Sequence, residues 1–197
     1  QMNSAEKLIL LNIICFILPL FLKTLFFLFA IPYGTFISFF ELSSDWGTLL
    51  FRPWSIVTYS FIHSGFFHLF WNMYLLYFSS CLFLNLFSTK IFLNVYFLGV
   101  VVGAFTFLLS YALFPAFQNA NPAMIGASAG VMGIFVFIST YSPDQEVRII
   151  FFNIKLRYLA VGFVLIDIIQ IPYGNAGGHL AHLGGAGLGF LYAQRLQ

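Results

Sequence analysis

The chain has 197 residues, of which 61% are hydrophobic and 7% charged, and its formal net charge is +2. A soluble domain carries about 25% charged residues, and the 28 phenylalanines lie mostly in apolar runs that no soluble core could absorb. The composition therefore predicts a polytopic membrane protein of the all-α class, with the lipid bilayer as its surroundings. The small, dispersed positive charge gives no reason to expect a nucleic-acid partner.

Residues 1–197 are predicted to form a single membrane domain. Gln1, which stands before Met2, is interpreted as a truncation remnant. Cys15 and Cys81 lie inside apolar runs and form no motif with each other or with histidine, so both are predicted to be packing residues.

Six segments are predicted to span the membrane, since a span needs about 20 apolar residues. The first contains Lys23 as its only charge and lacks a small-residue cleavage site, which favours a retained helix over a signal peptide. The fourth would be only about 22 Å long at about 1.5 Å per residue, which is shorter than the roughly 30 Å hydrocarbon core. Its first residues are therefore expected below one membrane face. The predicted spans are residues 8–30, 66–87, 91–114, 128–142, 158–171 and 179–196.

The connections between the spans differ in character. Residues 31–64 mix Pro, Gly and charges with Trp46 and Trp54, which predicts a long first loop with short helices in the membrane interface. Residues 144–157 form a charged connection, and residues 172–178 a turn. Basic residues favour the cytoplasmic side, so both termini are predicted to be cytoplasmic and the start of the fourth span extracytoplasmic. Six basic residues fit this orientation: Lys7, Lys90, Arg148, Lys155, Arg157 and Arg195.

Ser128 lies where a loop rich in Asn and Pro meets the fourth span, flanked by small residues. The run also reads Gly-x-Ser-x-Gly, the nucleophile elbow of soluble hydrolases, which needs a strand before the serine. No strand pattern precedes Ser128, so that interpretation is rejected. Gly126, Gly130 and Gly133 fall at helical spacing and predict a close approach of another helix.

All four histidines map to the predicted outer side. His68 and Asn72 are four residues apart, hence on one helix face, whereas His63 is off that face and is assigned to the loop. Hydrogen bonding between helices would explain the pair equally well. A metal site is disfavoured because no carboxylate or thiolate is near in sequence and His-Glu-x-x-His is absent.

The sixth span places Gly185 and Gly189 on the face of His182, a surface suited to close helix contact. If this face packs against the fourth span, the His182 imidazole comes within hydrogen-bonding reach of Ser128 Oγ. A neutral imidazole can then take the serine proton, and a dyad suffices if packing fixes the ring. The alternative is that the glycines only pack tightly and that His182 caps the helix.

Together these motifs resemble the rhomboid family of intramembrane serine proteases, in the bacterial type. The resemblance rests on His63-x4-His68-x3-Asn72, on Gly126-Ala-Ser128, and on Ala181-His182-Leu-Gly-Gly185-x3-Gly189. It implies a six-helix rhomboid bundle with Ser128 as the nucleophile and His182 as the base. It also implies an oxyanion hole formed by the side chains of His68 and Asn72 and the Ser128 backbone N–H. His63, Gly126, Gly185 and Gly189 would support this site, and no cofactor or metal is implied.

Several positions depart from the family pattern or have no counterpart in it. Ala129 stands where the family usually has glycine, and Met132 replaces an aromatic residue that often packs on the histidine. The Trp-Arg pair common in the family's first loop is missing. His179 has no role to carry over and is predicted to be a loop or cap residue. Asp167 is left unassigned, facing an internal water or a polar neighbour such as Gln170.

The resemblance further implies that the substrates are transmembrane segments of other membrane proteins. By analogy, the first loop and residues 172–178 would cover the site, and the fifth span would form a lateral gate with Phe163 and Leu165. The implied location is a bacterial inner membrane, with the site open to the extracytoplasmic side.

Two other functions are open to such a chain. A rhomboid-like pseudoprotease would bind membrane helices without cutting them, but the retention of both Ser128 and His182 argues against this alternative. A small transporter or channel is disfavoured because the polar residues cluster at one face and no internal repeat is evident.

Overall fold

A computed structural model of the protein describes residues 2–149 and 151–197, so Gln1 lies outside the described residues. These residues form nine α-helices and two small antiparallel strand pairs. The helices are α1 (Ser4–Leu28), α2 (Tyr33–Ile37), α3 (Trp46–Phe51), α4 (Ser55–Thr58), α5 (Phe66–Leu86), α6 (Thr89–Leu113), α7 (Ser128–Tyr141), α8 (Leu156–Gln170) and α9 (Ala176–Leu196). The strands are β1 (Leu42–Ser43), which pairs with β2 (Ala123–Met124), and β3 (Glu146–Ile149), which pairs with β4 (Phe152–Lys155).

Length and composition make four of the helical segments suitable for crossing a bilayer. They are α1, α5, α6 and α8 with the 3₁₀ turn that follows it, whereas α7 is apolar but shorter. The outward faces of these helices carry large apolar side chains, such as Phe27 and Phe67, which are 83% and 74% exposed. A bilayer rather than water accounts for such surfaces. The predicted class, an all-α polytopic membrane bundle, is confirmed.

Helix α7 is the centre of the bundle. It packs against α5, α6, α8 and α9, and eleven consecutive residues, 129–139, are buried. Glycine allows this crowding: Gly133 lies against the backbone of both α6 and α9, with carbonyl oxygens of Val95 and Gly185 3.4 Å from where a Cβ would be. A helix that is apolar all round is expected to be enclosed by others.

The first loop contains short helices, as predicted, and it supports the segment that leads into α7. Strand β1 of the loop pairs with β2, placing Leu42 opposite Met124. The Tyr59 carbonyl accepts a 2.9 Å hydrogen bond from the Gly126 N–H, and the Tyr59 hydroxyl donates to the Val100 carbonyl at 2.7 Å. The backbone before Ser128 is thus held by the first loop, and the loop is itself anchored to α6 through Tyr59.

Three details of the connections differ from the sequence predictions. Residues 144–157 were predicted as a plain charged connection but contain the β3–β4 hairpin. The turn predicted over 172–178 is shorter, because α9 begins at Ala176. A strand does precede Ser128, but β2 has only two residues and pairs antiparallel with β1. That geometry is unlike the strand–turn–helix elbow of the soluble hydrolases.

Candidate active site

Ser128 is the first residue of α7, and among the described residues no side-chain hydrogen bond caps the start of this helix. The first N–H groups of a helix have no partner within the helix, and their partial positive charge favours an anion nearby. The start of α7 therefore presents the Ser128 hydroxyl beside unused backbone donors.

The side chains of Ser128 and His182 form a hydrogen bond. Ser128 Oγ lies 2.6 Å from His182 Nε2, although the two residues are 54 positions apart and belong to α7 and α9. Close helix contact brings them together. A Cβ at Gly185 would overlap the carbonyl oxygen of Ala129, and one at Gly189 would overlap that of Gly133.

The three glycines near Ser128 do not all lie in the same helix. Gly126 precedes α7 and has φ of +117°, a conformation that L side chains rarely adopt. A Cβ there would also lie 2.8 Å from His68 Nε2. Gly130 faces Tyr96 and Val100 of α6, and Gly133 meets both α6 and α9. The predicted close approach of other helices is therefore confirmed for Gly130 and Gly133, whereas Gly126 lies outside the helix.

His68 is held in one tautomer by the chain before α5. Its Nδ1 lies 3.3 Å from the Ser64 backbone nitrogen and 3.1 Å from the Ser64 hydroxyl. A backbone N–H can only donate, so Nδ1 accepts and the proton of the neutral ring is on Nε2. That Nε2 is the atom facing Gly126. His68 therefore presents a hydrogen-bond donor toward the segment that carries Ser128.

Asn72 lies one turn after His68 on α5 and lines the same cavity as Ser128. Its Nδ2 donates to the His68 backbone carbonyl at 2.8 Å. One of the two Nδ2 hydrogens therefore has a partner in the same helix, and the second remains as a donor for a ligand in the cavity.

His63 lies in the loop before α5, as predicted, and contacts the segment leading into α7. Its Nε2 accepts a long, 3.4 Å hydrogen bond from the Ala127 N–H, and its ring centroid is 5.0 Å from that of His68. Burial, with a further contribution from His68, lowers the pKa of His63 to about 4. The ring is therefore neutral near pH 7 and can act as an acceptor.

Asp167 of α8 has a position that the sequence did not indicate. Its Oδ1 lies 2.8 Å from His182 Nδ1 and 2.7 Å from His179 Nδ1, and no bond to Gln170 is found among the described residues. His179 is thus in the first turn of α9 with a specific partner, which corrects its prediction as a loop or cap residue. Two signals were available. Asp167 is the single acid inside any predicted span, and such residues tend to be functional. His179 lies three residues before His182, on the same helix face.

Asp167, His179 and His182 are also the one group among the described residues that could hold a metal ion, with ligand atoms within 4.8 Å of one another. Ligand atoms around tetrahedral zinc stand about 3.3 Å apart, given metal–ligand distances near 2.0–2.1 Å. Both histidine nitrogens are closer than that to the shared oxygen. The arrangement therefore fits hydrogen bonds better than coordination.

A cavity of about 460 Å³ contains Ser128, His182 and Asp167 and extends between α5 and α8. Trp71 of α5 and Phe163 of α8 line its walls. Leu165, which is predicted to form a lateral gate together with Phe163, lines a separate cavity beside α9 and not this one. The Ser128 cavity is of a size that binds small ligands or segments of larger ones.

The two sequence departures beside the serine are accommodated by packing. The Ala129 methyl is buried against Gly103 of α6, where a second Cβ would lie 2.5 Å from it. Met132 is 4% exposed and lines the cavity together with His182. Glycine on α6 thus provides the space that glycine after the serine would otherwise provide.

The family model described as the Rhomboid domain matches residues 50–196. This range includes α5–α9 and each of the side chains that surround the cavity. No curated protein shows a significant match to the chain. The bundle and its cavity define an integral membrane protein built from apolar helices. The chain belongs to the rhomboid family.

Proposed function

We propose that the protein is an intramembrane serine endopeptidase that cleaves transmembrane segments of other membrane proteins. The observation that carries this proposal is the 2.6 Å hydrogen bond between Ser128 Oγ and His182 Nε2 at the start of α7. Rhomboid proteins include both proteases and inactive members, so family membership alone does not decide the activity. A serine paired with a histidine, beside unused backbone donors, favours the protease.

In the first step, His182 Nε2 accepts the Ser128 hydroxyl proton while Oγ attacks the scissile carbonyl carbon. A tetrahedral intermediate forms, with negative charge on the former carbonyl oxygen. His182 then gives its proton to the leaving amine, and an acyl-enzyme on Ser128 remains. Water attacks that ester with His182 again as the base, which releases the second product and restores the serine.

The negative charge needs donors that are in place before it develops. The Ser128 N–H at the helix start and the Nε2–H of His68 would be two such donors, and the Nδ2 hydrogen of Asn72 that the His68 carbonyl does not take would be the third. Each donor in such a site lowers the activation free energy by about 3 kcal/mol. His63 contributes indirectly, because it holds the Ala127 N–H and so the backbone before Ser128.

The substrate would enter from the bilayer between α5 and α8, where the cavity is lined by Trp71 and Phe163. The exposed apolar surfaces of both helices suit contact with another transmembrane segment. The distribution of basic residues supports cytoplasmic termini and a site near the extracytoplasmic face. Water would reach Ser128 from that side.

The test is cleavage of a panel of single-span membrane proteins in proteoliposomes, with mass spectrometry to locate the cut. The wild type is expected to cut within or next to the apolar segment, whereas Ser128→Ala should cut none of them. Ser139→Ala, which removes a buried hydroxyl farther along α7, is the matched control and should stay active. Binding of these segments without cleavage by folded wild type would instead favour a helix-binding pseudoprotease.

A further inference from the structure

We infer that Asp167 positions the general base, so that the site works as a Ser128–His182–Asp167 array in which His179 holds the carboxylate. This inference rests on the proposed function and adds to it a residue from α8. Asp167 contacts no reacting atom and would act through His182.

Asp167 determines which ring nitrogen of His182 carries the proton. An ionised carboxylate only accepts hydrogen bonds, so the 2.8 Å contact with Asp167 Oδ1 requires a proton on His182 Nδ1. The neutral ring then has no proton on Nε2. That is the form that can accept the proton of Ser128 Oγ, 2.6 Å away. Without the carboxylate, the ring could place its proton on Nε2 and point a donor at the serine.

The burial of Asp167 also indicates a specific role for its carboxylate. The side chain of Asp167 is 8% exposed, and an ionised carboxylate at membrane depth is costly unless it is paired. It has two N–H partners, from His182 and from His179, both on the same oxygen. A residue kept only for packing at this position would be apolar, like Leu156 and Ala160, the other buried residues of α8.

His179 has a distinct part in this arrangement. It is one turn before His182 on α9, and its Nδ1 lies 2.7 Å from the shared oxygen. A second donor on that oxygen keeps it an acceptor and fixes the carboxylate against rotation. The orientation of His182 therefore depends both on its own contact with Asp167 and on the contact by which His179 holds Asp167 in place.

This geometry predicts an ordered series of variants. Asp167→Leu removes the acceptor and should lower kcat on the order of 10⁴-fold, as loss of the triad aspartate does in soluble serine proteases, with little change in KM. Asp167→Asn should lower kcat less, because the N–H groups of both histidines hold the amide oxygen in the same place as an acceptor. Combining Asp167→Asn with His179→Leu frees the amide to flip and to donate to His182. The kcat of the double variant should therefore approach that of Asp167→Leu. It should be well below the value expected if the effects of the two single substitutions on kcat simply multiplied.

The measurement is kcat and KM for a cleaved transmembrane segment, together with nitrogen-15 signals of His182 that report which ring nitrogen carries the proton. The wild type and Asp167→Asn should carry it on Nδ1, and the double variant should shift it to Nε2. Gln170→Leu, on the same helix, is the control and should match the wild type in both readouts.

A folded Asp167→Leu with wild-type kcat would overturn the inference. A proton that stays on Nδ1 of His182 in the double variant would also overturn the inference. This second test remains available if Asp167→Leu does not fold. The two hypotheses fail separately. A wild type that cleaves nothing contradicts the proposed function, while the nitrogen-15 signals still test the link between Asp167 and His182.

Discussion

The carbonyl oxygen of Ala129 lies against the Cα of Gly185, so close that a Cβ on that glycine would overlap the oxygen. This contact joins α7 to α9 one residue after Ser128 and three residues after His182. The separation of the two helices, and with it the Ser128–His182 hydrogen bond, therefore depends on the missing side chain at position 185.

Gly185→Ala is expected to push α9 away from α7. Overpacking of this kind lowers the free energy of unfolding by about 1–3 kcal/mol, and protease activity should fall further because the serine and histidine separate. Gly187→Ala is the matched control on the same helix, since a Cβ there meets nothing within 4 Å. Gly187→Ala should instead raise the free energy of unfolding by about 0.5–1 kcal/mol through helix propensity. Unfolding in detergent and segment cleavage measure both effects, and equal behaviour of the two variants would contradict the packing account.

Gly103 and Ala129 form a second pair that can be tested together. Gly103→Ala places two methyl groups in one space and should destabilise the protein by about 1–3 kcal/mol. Adding Ala129→Gly should recover part of that loss, although not all, because the Ala181 carbonyl also lies 3.0 Å from the new Cβ. A double-mutant cycle on the free energy of unfolding should give a coupling of about 0.5–3 kcal/mol. Strict additivity would show that Gly103 does not accommodate Ala129.

The neutral His63 predicts a specific dependence of stability on pH. Its pKa is about 4 in the folded protein, below the ordinary value of 6.5, so the unfolded chain binds the proton more readily between these values. The stability that the neutral His63 ring contributes to the folded protein is fully present above pH 6.5. It is lost as the pH falls to about 4 and changes no further below that. The size of the shift corresponds to about 3 kcal/mol.

His63→Gln keeps an acceptor for the Ala127 N–H but does not titrate. Unfolding of both proteins should be measured in detergent between pH 7.5 and pH 4. The wild type is expected to lose about 3 kcal/mol more than the variant over that range. Parallel curves for the two proteins would rule out a buried neutral His63.

His68 and Asn72 should differ in their effect on catalysis, because one of the two Nδ2 hydrogens of Asn72 is already bonded within its own helix, whereas the Nε2–H of His68 faces the segment that carries Ser128. His68 presents its Nε2–H toward Gly126, whereas Asn72 is bonded to the His68 carbonyl. His68→Ala should therefore lower kcat by about 10²–10³-fold, and Asn72→Ala by less. Comparison of kcat for the two folded variants decides the order. A larger loss for Asn72→Ala would mean that its amide is the main donor.

The sequence allowed good prediction wherever its pattern was local. Apolar runs predicted the membrane bundle, and the spacing from His182 to Gly185 and Gly189 predicted close contact with α7. The pairing of β1 with β2 could not be predicted, because two-residue strands carry no periodic signal. Gly126 was misplaced for a related reason: three glycines at helical spacing look like a face whether or not the first lies in the helix.

The Asp167 contact required knowledge of tertiary structure. The aspartate precedes His182 by 15 residues and is separated from it by a 3₁₀ turn and the start of α9. Only the way α8 packs on α9 decides which face of α8 meets the histidines. Sequence alone identified a buried acid and two histidines but could not place them together.

Labelling with a fluorophosphonate probe tests whether Ser128 is a nucleophile that His182 activates. The probe reacts covalently with activated serines, and peptide mapping identifies the labelled residue. Detergent-solubilised wild type should be labelled at Ser128, while Ser128→Ala and His182→Ala should remain unlabelled although folded. Folded wild type that takes up no probe, or labelling of His182→Ala at the wild-type rate, would contradict the account.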